Sequence, residues 1–189
     1  RIGVIGMNGK GESTLLKVIA GENTPVEGEA KLHPETRTGY FGQTNIDRLD
    51  SRMTVEDEIQ EANNNLNRTQ VRGICGAMMF PGNDAEKRIA VLSGGEKSRT
   101  LLGKILAKPS NMLLLDEPTS HLDIYSIQAL IEAIESYEGA VVIVTHSEMI
   151  LKSLANKLVY FQAGKAQTYP GTYEEFLERI GWDNEQEVY

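Results

Sequence analysis

The stretch Gly6 to Thr14 reads G-M-N-G-K-G-E-S-T; it follows the short apolar run Ile2 to Ile5 and precedes a helical pattern of Leu15, Leu16, Val18 and Ile19. Strand, glycine loop and helix, in that order, are what a phosphate cradle requires. Glycines at 6, 9 and 11 let the backbone wrap closely round a bound group, successive N–H groups turn inward, and a helix starting near Ser13 aims its positive dipole end at the same place. A glycine-rich turn without a ligand is the competing reading.

The Walker A pattern G-x-x-x-x-G-K-[ST] fits from Gly6 through Gly11 and again at Ser13, but Glu12 stands at the lysine position. A lysine there reaches the β- and γ-phosphates. A carboxylate near those phosphates repels them by about 4 kcal/mol per charge pair at about 4 Å, at a surface-like dielectric. The sequence therefore predicts a nucleotide cradle with weakened affinity.

With 189 residues, 40% of them hydrophobic, the chain can bury one good core, with a small appended lobe. No apolar run approaches the roughly 20 residues of a spanning helix, and the start R-I-G-V-I-G lacks signal-peptide anatomy, so a cytoplasmic protein is expected, without direct membrane insertion. The single cysteine, Cys75, excludes an internal disulfide and reads as a buried filler. A formal charge of −8 argues against a general nucleic-acid grip. Opening directly on a strand, the chain is expected to be a fragment of a longer protein.

A helix from Ser13 to Ala20 should end at Gly21. Two alternating segments, Gly28 to Leu32 and Thr38 to Phe41, split by His33-Pro34, look like an antiparallel edge. From Asn45 the periodicity turns helical: Thr54 with Asp57 resembles a capping box, a further helix is plausible from Thr69 to Met79, and Pro81-Gly82-Asn83 turns into a short polar helix through Glu86 and Arg88. After Leu92 an amphipathic helix runs to Pro109. The apolar strand Met112 to Leu115, helix Ile124 to Ser136, strand Ala140 to Val144, helix Glu148 to Ala155 and strand Leu158 to Phe161 then alternate as in a parallel α/β sheet. Gly164 turns into Ala166 to Tyr169, and Thr172 to Ile180 forms a last helix. The expected fold class is α/β: a P-loop core with a mostly parallel sheet, a small antiparallel β edge and an inserted helical subdomain. Residues 1–44 and 100–169 form the core, 45–99 the helical subdomain, and 170–189 a terminal helix and tail.

Asp116 and Glu117 follow the buried strand, where two carboxylates at its C-terminal edge form a Walker B element: the Asp to help hold Mg²⁺, Glu117 to polarise an attacking water. Thr145-His146 ends the next apolar strand, where a neutral imidazole could reach a γ-phosphate, although a lone histidine is more often structural. Ser93-Gly94-Gly95 opens a helix and makes a second anion site, on the helical lobe. Gln43 sits at the junction of sheet and lobe and could ligate the metal; alone it reads as a surface glutamine.

Together, G-M-N-G-K-G-E-S-T, Gln43, L-S-G-G-E, L-L-L-D-E-P-T-S-H-L-D and T-H-S, in that order and over essentially the whole chain, resemble the ATPase domain of the ATP-binding-cassette (ABC) superfamily. Within it, S-H-L-D, R-G-I-C-G-A-M-M-F-P-G-N-D, L-S-G-G-E-K-S-R and Y-P-G-T-Y-E-E-F look like the ABC-F branch, whose members carry two such domains in one soluble chain and act on the ribosome. By that resemblance the nucleotide loop is Gly6, Met7, Asn8, Gly9, Lys10, Gly11, Glu12, Ser13 and Thr14. The Mg²⁺ ligands are Ser13, Gln43 and Asp116, the catalytic glutamate is Glu117 and the switch histidine His146. Ser93, Gly94 and Gly95 close on ATP held by a partner domain, with Asp123 between the two sites. The interval from Gln43 to Leu92 has no room for the long helical arm of many first domains, which implies a second domain. The rival functions are the ATPase subunit of a membrane transporter and, because of Glu12, a nucleotide-blind scaffold; intact Glu117 and His146 argue against the scaffold.

Overall fold

The computed structural model of the chain describes residues 1–6, 11–120, 122–162 and 165–181, with the side chains of Gln43 and Thr44 outside that description. Among the described residues six strands make one sheet in the order β2-β3-β4-β1-β5-β6. They are β1 (Ile2–Ile5), β2 (Thr38–Phe41), β3 (Met112–Asp116), β4 (Ala140–Val144), β5 (Lys157–Gln162) and β6 (Lys165–Tyr169). All neighbours pair in parallel except β5 and β6.

The period of two along β3 explains how helices cover both faces. Leu113 and Leu115 join a large buried cluster with Val141, Ile143, Leu130 and Ile150, while Leu114 packs with Val4, Leu16, Val142 and Val144. The second cluster is covered by α1 (Glu12–Ile19); the first lies under α4 (Gly94–Ala107), α5 (Ile124–Glu135) and α6 (Glu148–Leu154). A smaller cluster of Ile5, Leu158, Tyr160 and Phe176 seats α7 (Tyr173–Arg179).

The Thr38 to Phe41 segment is a strand, but it pairs in parallel with β3, Phe41 opposite Leu115. Gly28 to Leu32 forms no strand; all five residues are exposed, and Glu29 and Lys31 alternate with small Gly28 and Ala30, leaving Leu32 as the one large apolar side chain to hold the segment to a partner. The antiparallel pair lies at the other edge of the sheet, in β5 and β6. The expected polar helix after Pro81 is instead two 3₁₀ turns, Gly82–Glu86 and Ile89–Val91, each too short for a continuous apolar stripe. Gly164 and residues 182–189 fall outside the described residues.

Between β2 and α4 the chain forms a 3₁₀ segment (Gln43–Arg48), then α2 (Val55–Ala62) and α3 (Arg68–Ala77). Both helices open with reciprocal capping boxes, Thr54 with Asp57 and Asn67 with Gln70. Helix α3 ends in a Schellman arrangement: Phe80 N–H donates to Cys75 O (2.8 Å) and Met79 N–H to Gly76 O (2.9 Å). Met79 carries the left-handed φ of 62° that glycine usually supplies there, a strain of roughly 1–2 kcal/mol. Buried Cys75 and Phe80 pack in the same cluster, and burial pushes the Cys75 thiol up to about 11, as a filler requires.

The helical lobe and the sheet share that cluster: Val55, Ile59, Val71 and Ile89 belong to it along with Leu102, Leu113 and Ile143. A polar cluster is set within the α2–α4 contact, where Lys104 of α4 donates to both Glu58 and Glu61 of α2. Glu58 is fully buried and accepts from Lys104 of α4 and from the backbone N–H of Asp50. Removing the cation alone strands a buried carboxylate, so Lys104→Met is expected to destabilise the chain by about 3–5 kcal/mol. The double variant Glu58→Met with Lys104→Met should cost far less; urea unfolding midpoints of the single and double variants check both.

Candidate functional site

The C-terminal ends of β1, β3 and β4 open side by side, because the register places Asp116 opposite Val144 and Val144 opposite Val4. Three sequence elements distant along the chain therefore deliver Gly6, Asp116-Glu117 and Thr145-His146 to one edge of the sheet.

Helix α1 begins there. Gly11 takes φ 113° as its N-cap, a conformation that side chains rarely adopt. Ser13, in the first turn, donates its hydroxyl to Asp116 Oδ1 (2.8 Å) and so links the helix start to the end of β3. Asp116 is buried. The next residue, Glu117, has φ 49° and donates its N–H to Val144 O (2.9 Å), which extends the ladder to β4 while turning the chain out of the sheet. Its Oε1 lies 3.6 Å from His146 Nε2. Burial is the main cause that raises the Glu117 carboxyl above the usual carboxylate range; a charged His146 opposes this, and the negative charges of Asp116 and Glu12 add to it. Half-exposed His146 borders a cavity of about 270 Å³ lined also by Ile5, Gly6, Thr145 and Tyr173.

Glu12 is turned inward. Only 7% exposed, its Oε1 has no hydrogen-bond partner and lies where a Cβ on Gly6 would sit, 1.9 Å from that position. The inward Glu12 carboxylate thus occupies the space that a side chain at position 6 would need, and Phe161 closes in beside it, so a Cβ there would force the carboxylate to move. Met7, Asn8, Gly9 and Lys10 lie outside the described residues, as does the side chain of Gln43; Thr14, exposed, follows Ser13 in the first turn of α1.

Two hard oxygen donors, Ser13 and Asp116, stand together at this buried position, which suits a small divalent cation such as Mg²⁺. Among the described residues no three acidic, histidine or cysteine side chains are spaced as a preformed metal site. Water and phosphate oxygens would then complete the shell, the usual arrangement for Mg²⁺.

Ser93 caps α4: its hydroxyl accepts from Glu96 N–H while Glu96 accepts from Ser93 N–H (2.8 Å), leaving Ser93 and Gly94 exposed and Gly95 half-buried at the helix start. Asp123 caps α5 by accepting from Ser126 N–H (2.8 Å), the main reason its carboxyl is held below the usual range. Among the described residues, Ser93 to Gly95 make no hydrogen bond or ion pair with Ser13, Asp116, Glu117 or His146, so the candidate site residues fall into two separate groups.

Sequence reasoning missed Tyr40. On β2, facing the same side of the sheet as Leu114, it belongs to the cluster under α1, and its buried hydroxyl lies against Gly42. Burial, with the negative charges of Asp116 and Glu22, pushes the phenol up to about 12, so it stays neutral. The sequence carries no signal for this, because it depends on the pairing of β2 with β3, which sets Tyr40 opposite Leu114, two residues before Asp116.

With this arrangement in view, comparison with known proteins places the chain. Residues 1–120 match the family described as ABC transporter. The chain belongs to this ATP-binding-cassette family, whose domains bind ATP, and it has the fold of an ABC ATP hydrolase domain. Relatives carry ABC-F names: it is 37% identical over 95% of its length to ABC transporter F family member 5 of Arabidopsis thaliana, covering 26% of that protein. It is 36% identical over 96% of its length to the probable ATP-binding protein YbiT of Escherichia coli O157:H7, covering 34%. The chain thus spans about a quarter to a third of these relatives. Among solved structures, RNase-L Inhibitor superposes with TM-score 0.73 at 25% identity, over 95% of this chain and 37% of that one. The ATP-binding cassette MJ0796, a dimer bound to ADP and Pi, has the same fold, with TM-score 0.71 at 20% identity, over 89% of this chain and 84% of that one. No helix among the described residues is long and apolar enough to cross a membrane.

The Glu117 geometry yields a pH-dependent prediction. A folded-state value raised above the unfolded one means that ionised Glu117 works against the fold; the handicap is absent below the unfolded value and grows as pH rises through the folded one. Glu117→Gln is expected to raise Tm at neutral pH, with the gain vanishing near about pH 4. Thermal melts across pH check the sign. An apolar replacement of similar length at position 12 should also stabilise: Glu12→Met is expected to add about 1–3 kcal/mol by removing an unpartnered buried carboxylate.

Proposed function

We propose that the chain is the second nucleotide-binding domain of a cytoplasmic ABC-F protein that acts in translation on the ribosome, binding and hydrolysing ATP with an affinity weakened by Glu12. The observation that carries the reading is the Ser13–Asp116 hydrogen bond, with the Glu117–His146 pair beside it at the strand ends. Relatives named as ABC transporter F family members support the branch.

In this reading the backbone of Gly6, Met7, Asn8, Gly9, Lys10 and Gly11, with the first N–H groups of α1 at Glu12, Ser13 and Thr14, holds the phosphates. Mg²⁺, held by Ser13, Gln43 and Asp116, neutralises phosphate charge when bound. Glu117 accepts a proton from the water whose oxygen attacks the γ-phosphorus, as the bond to the β–γ bridging oxygen breaks to leave ADP and phosphate. The raised carboxyl value brings this base closer to the operating pH. His146 orients the reacting groups. Ser93, Gly94, Gly95 and Asp123 are presented to ATP on a second ABC domain, in the same chain of the parent protein or in a second copy. The dimeric MJ0796 cassette is an instance of such pairing.

A cleft of about 450 Å³ between Asn45, Arg48, Leu49, Glu61 and Lys104 favours a second reading, a transporter ATPase that receives a helix from a membrane subunit. Reconstitution separates the two: co-sedimentation with ribosomes supports the first, and capture by a permease the second.

Glu12 makes the nucleotide step testable. It removes a phosphate-directed cation and adds a like charge, together roughly two to four orders of magnitude in affinity. Calorimetry should therefore show Glu12→Lys binding ATP about 10²–10⁴-fold more tightly than the parent; equally tight binding by both would sink the electrostatic account. In the Glu12→Lys background, Glu117→Gln should abolish turnover and leave ATP bound, and hydrolysis at the parent rate would remove Glu117 from its role.

A further inference from the structure

Arg99 has no part in the roles above, yet it is well buried, with a side chain only 14% exposed, and its guanidinium meets three elements at once. It projects from α4, six residues after Ser93. Its Nε donates to Met78 O at the end of α3 (3.1 Å), and its plane lies over the Phe80 ring, 5.2 Å from the centroid. Nη1 donates to Ser126 Oγ (2.9 Å) and lies 3.9 Å from Asp123 Oδ2. The Ser126 hydroxyl, while accepting from Arg99, donates to Met79 Sδ (3.6 Å), and the Ser126 N–H holds the other oxygen of Asp123.

The left-handed Met79 belongs to the same knot. Its strained backbone puts Met78 O in front of Arg99 and its sulfur against Ser126. The helix that bears Ser93 and the loop that bears Asp123 are thus fastened to each other through one side chain, and both to the end of α3. A lysine in its place keeps the charge, but it has neither the planar fork needed to serve Met78 O and Ser126 together nor the flat face that stacks on Phe80.

We propose that Arg99 is a positioning residue that sets Ser93 and Asp123 in fixed mutual register, so that both meet the nucleotide of a second ABC domain in one step. The proposal rests on the pairing of domains put forward above. Arg99 touches no nucleotide held by its own chain, so its loss should leave ATP binding by the monomer intact and impair the assembly of the composite site.

The test has two arms. Hydrogen exchange on the chain as it stands should show the amides of Leu122 to Ile127 and of Met78 to Phe80 opening about tenfold faster in Arg99→Lys, with β3 and α1 unchanged; no local change overturns the knot. In the Glu12→Lys, Glu117→Gln background, association driven by ATP is followed by light scattering against chain concentration. Adding Arg99→Lys should weaken association about tenfold while calorimetric ATP affinity stays within about twofold. Ser126→Ala, which leaves Arg99 in place, should do the same to a lesser degree. Equal association with and without Arg99→Lys overturns the proposal alone, and so does a parallel loss of ATP affinity, which a general structural defect would produce. Failure of the background chain itself to associate with ATP overturns the pairing reading and the proposal with it.

Discussion

The hydrogen bond from Ser13 to Asp116 closes a loop of 103 residues and fixes the start of α1 against the end of β3. It is possible because β1, β3 and β4 are parallel and in register, so that the chain leaves each strand at the same edge of the sheet. At that edge a helix start, two carboxylates and a histidine converge without a long loop. A buried carboxylate at a strand end needs a donor, and the Ser13 hydroxyl supplies one. The left-handed backbone at Glu117 follows from the same constraint: its N–H must still reach Val144 O while its side chain turns toward His146. The strain at this residue is the consequence of serving the sheet and the site together.

Glu12 sets a second condition. An acid at the first position of α1 is favourable to the helix dipole, and the local helix accepts it readily. The cost arises one layer deeper, where the carboxylate folds under Gly6 without a partner and adds its charge to those of Asp116 and Glu117. Local helix propensity and the electrostatics of the site thus pull in opposite directions at one residue. A cation and phosphate entering this edge meet three acids in place of two acids and a base.

The strands and helices of the core were legible because their signals are local and periodic: an apolar run ending in Asp116-Glu117, another ending in Thr145-His146, and helices that begin at Thr54, Ser93 and Asp123. Pairing partners were less legible. Thr38 to Phe41 reads as a strand from its alternation, but whether it pairs with residues 28–32 or with β3 depends on whether those residues supply an apolar face, which exposed Glu29 and Lys31 do not. The order of functional motifs was readable; the direction of the Glu12 side chain was not, because it depends on the room left by Gly6 and Phe161. Tyr40 and Arg99 went unread for a related reason. Each acts by touching elements far apart in sequence, and no spacing rule marks such contacts.

Those long-range contacts decide how the lobe can move. Helix α4 carries Ser93 at its start, Arg99 in its first half and Lys104 in its second. Arg99 is bound to the end of α3 and the cap of α5, and Lys104 to buried Glu58 of α2. Two clamps on successive turns, each with desolvated partners, oppose sliding of α4 along its axis and rotation about it, since either motion strands a buried polar group. Motion that keeps both clamps intact must carry α2, α3, α4 and the start of α5 together, and the shared cluster running from Val55 to Ile143 resists their separation from the sheet. The 3₁₀ run Gln43–Arg48, a form with poorer hydrogen-bond geometry than the α-helix, joins the edge strand to this lobe. Because Arg99 ties α4 to the cap of α5, a displacement of the lobe that keeps this clamp would carry Ser93 and Asp123 together.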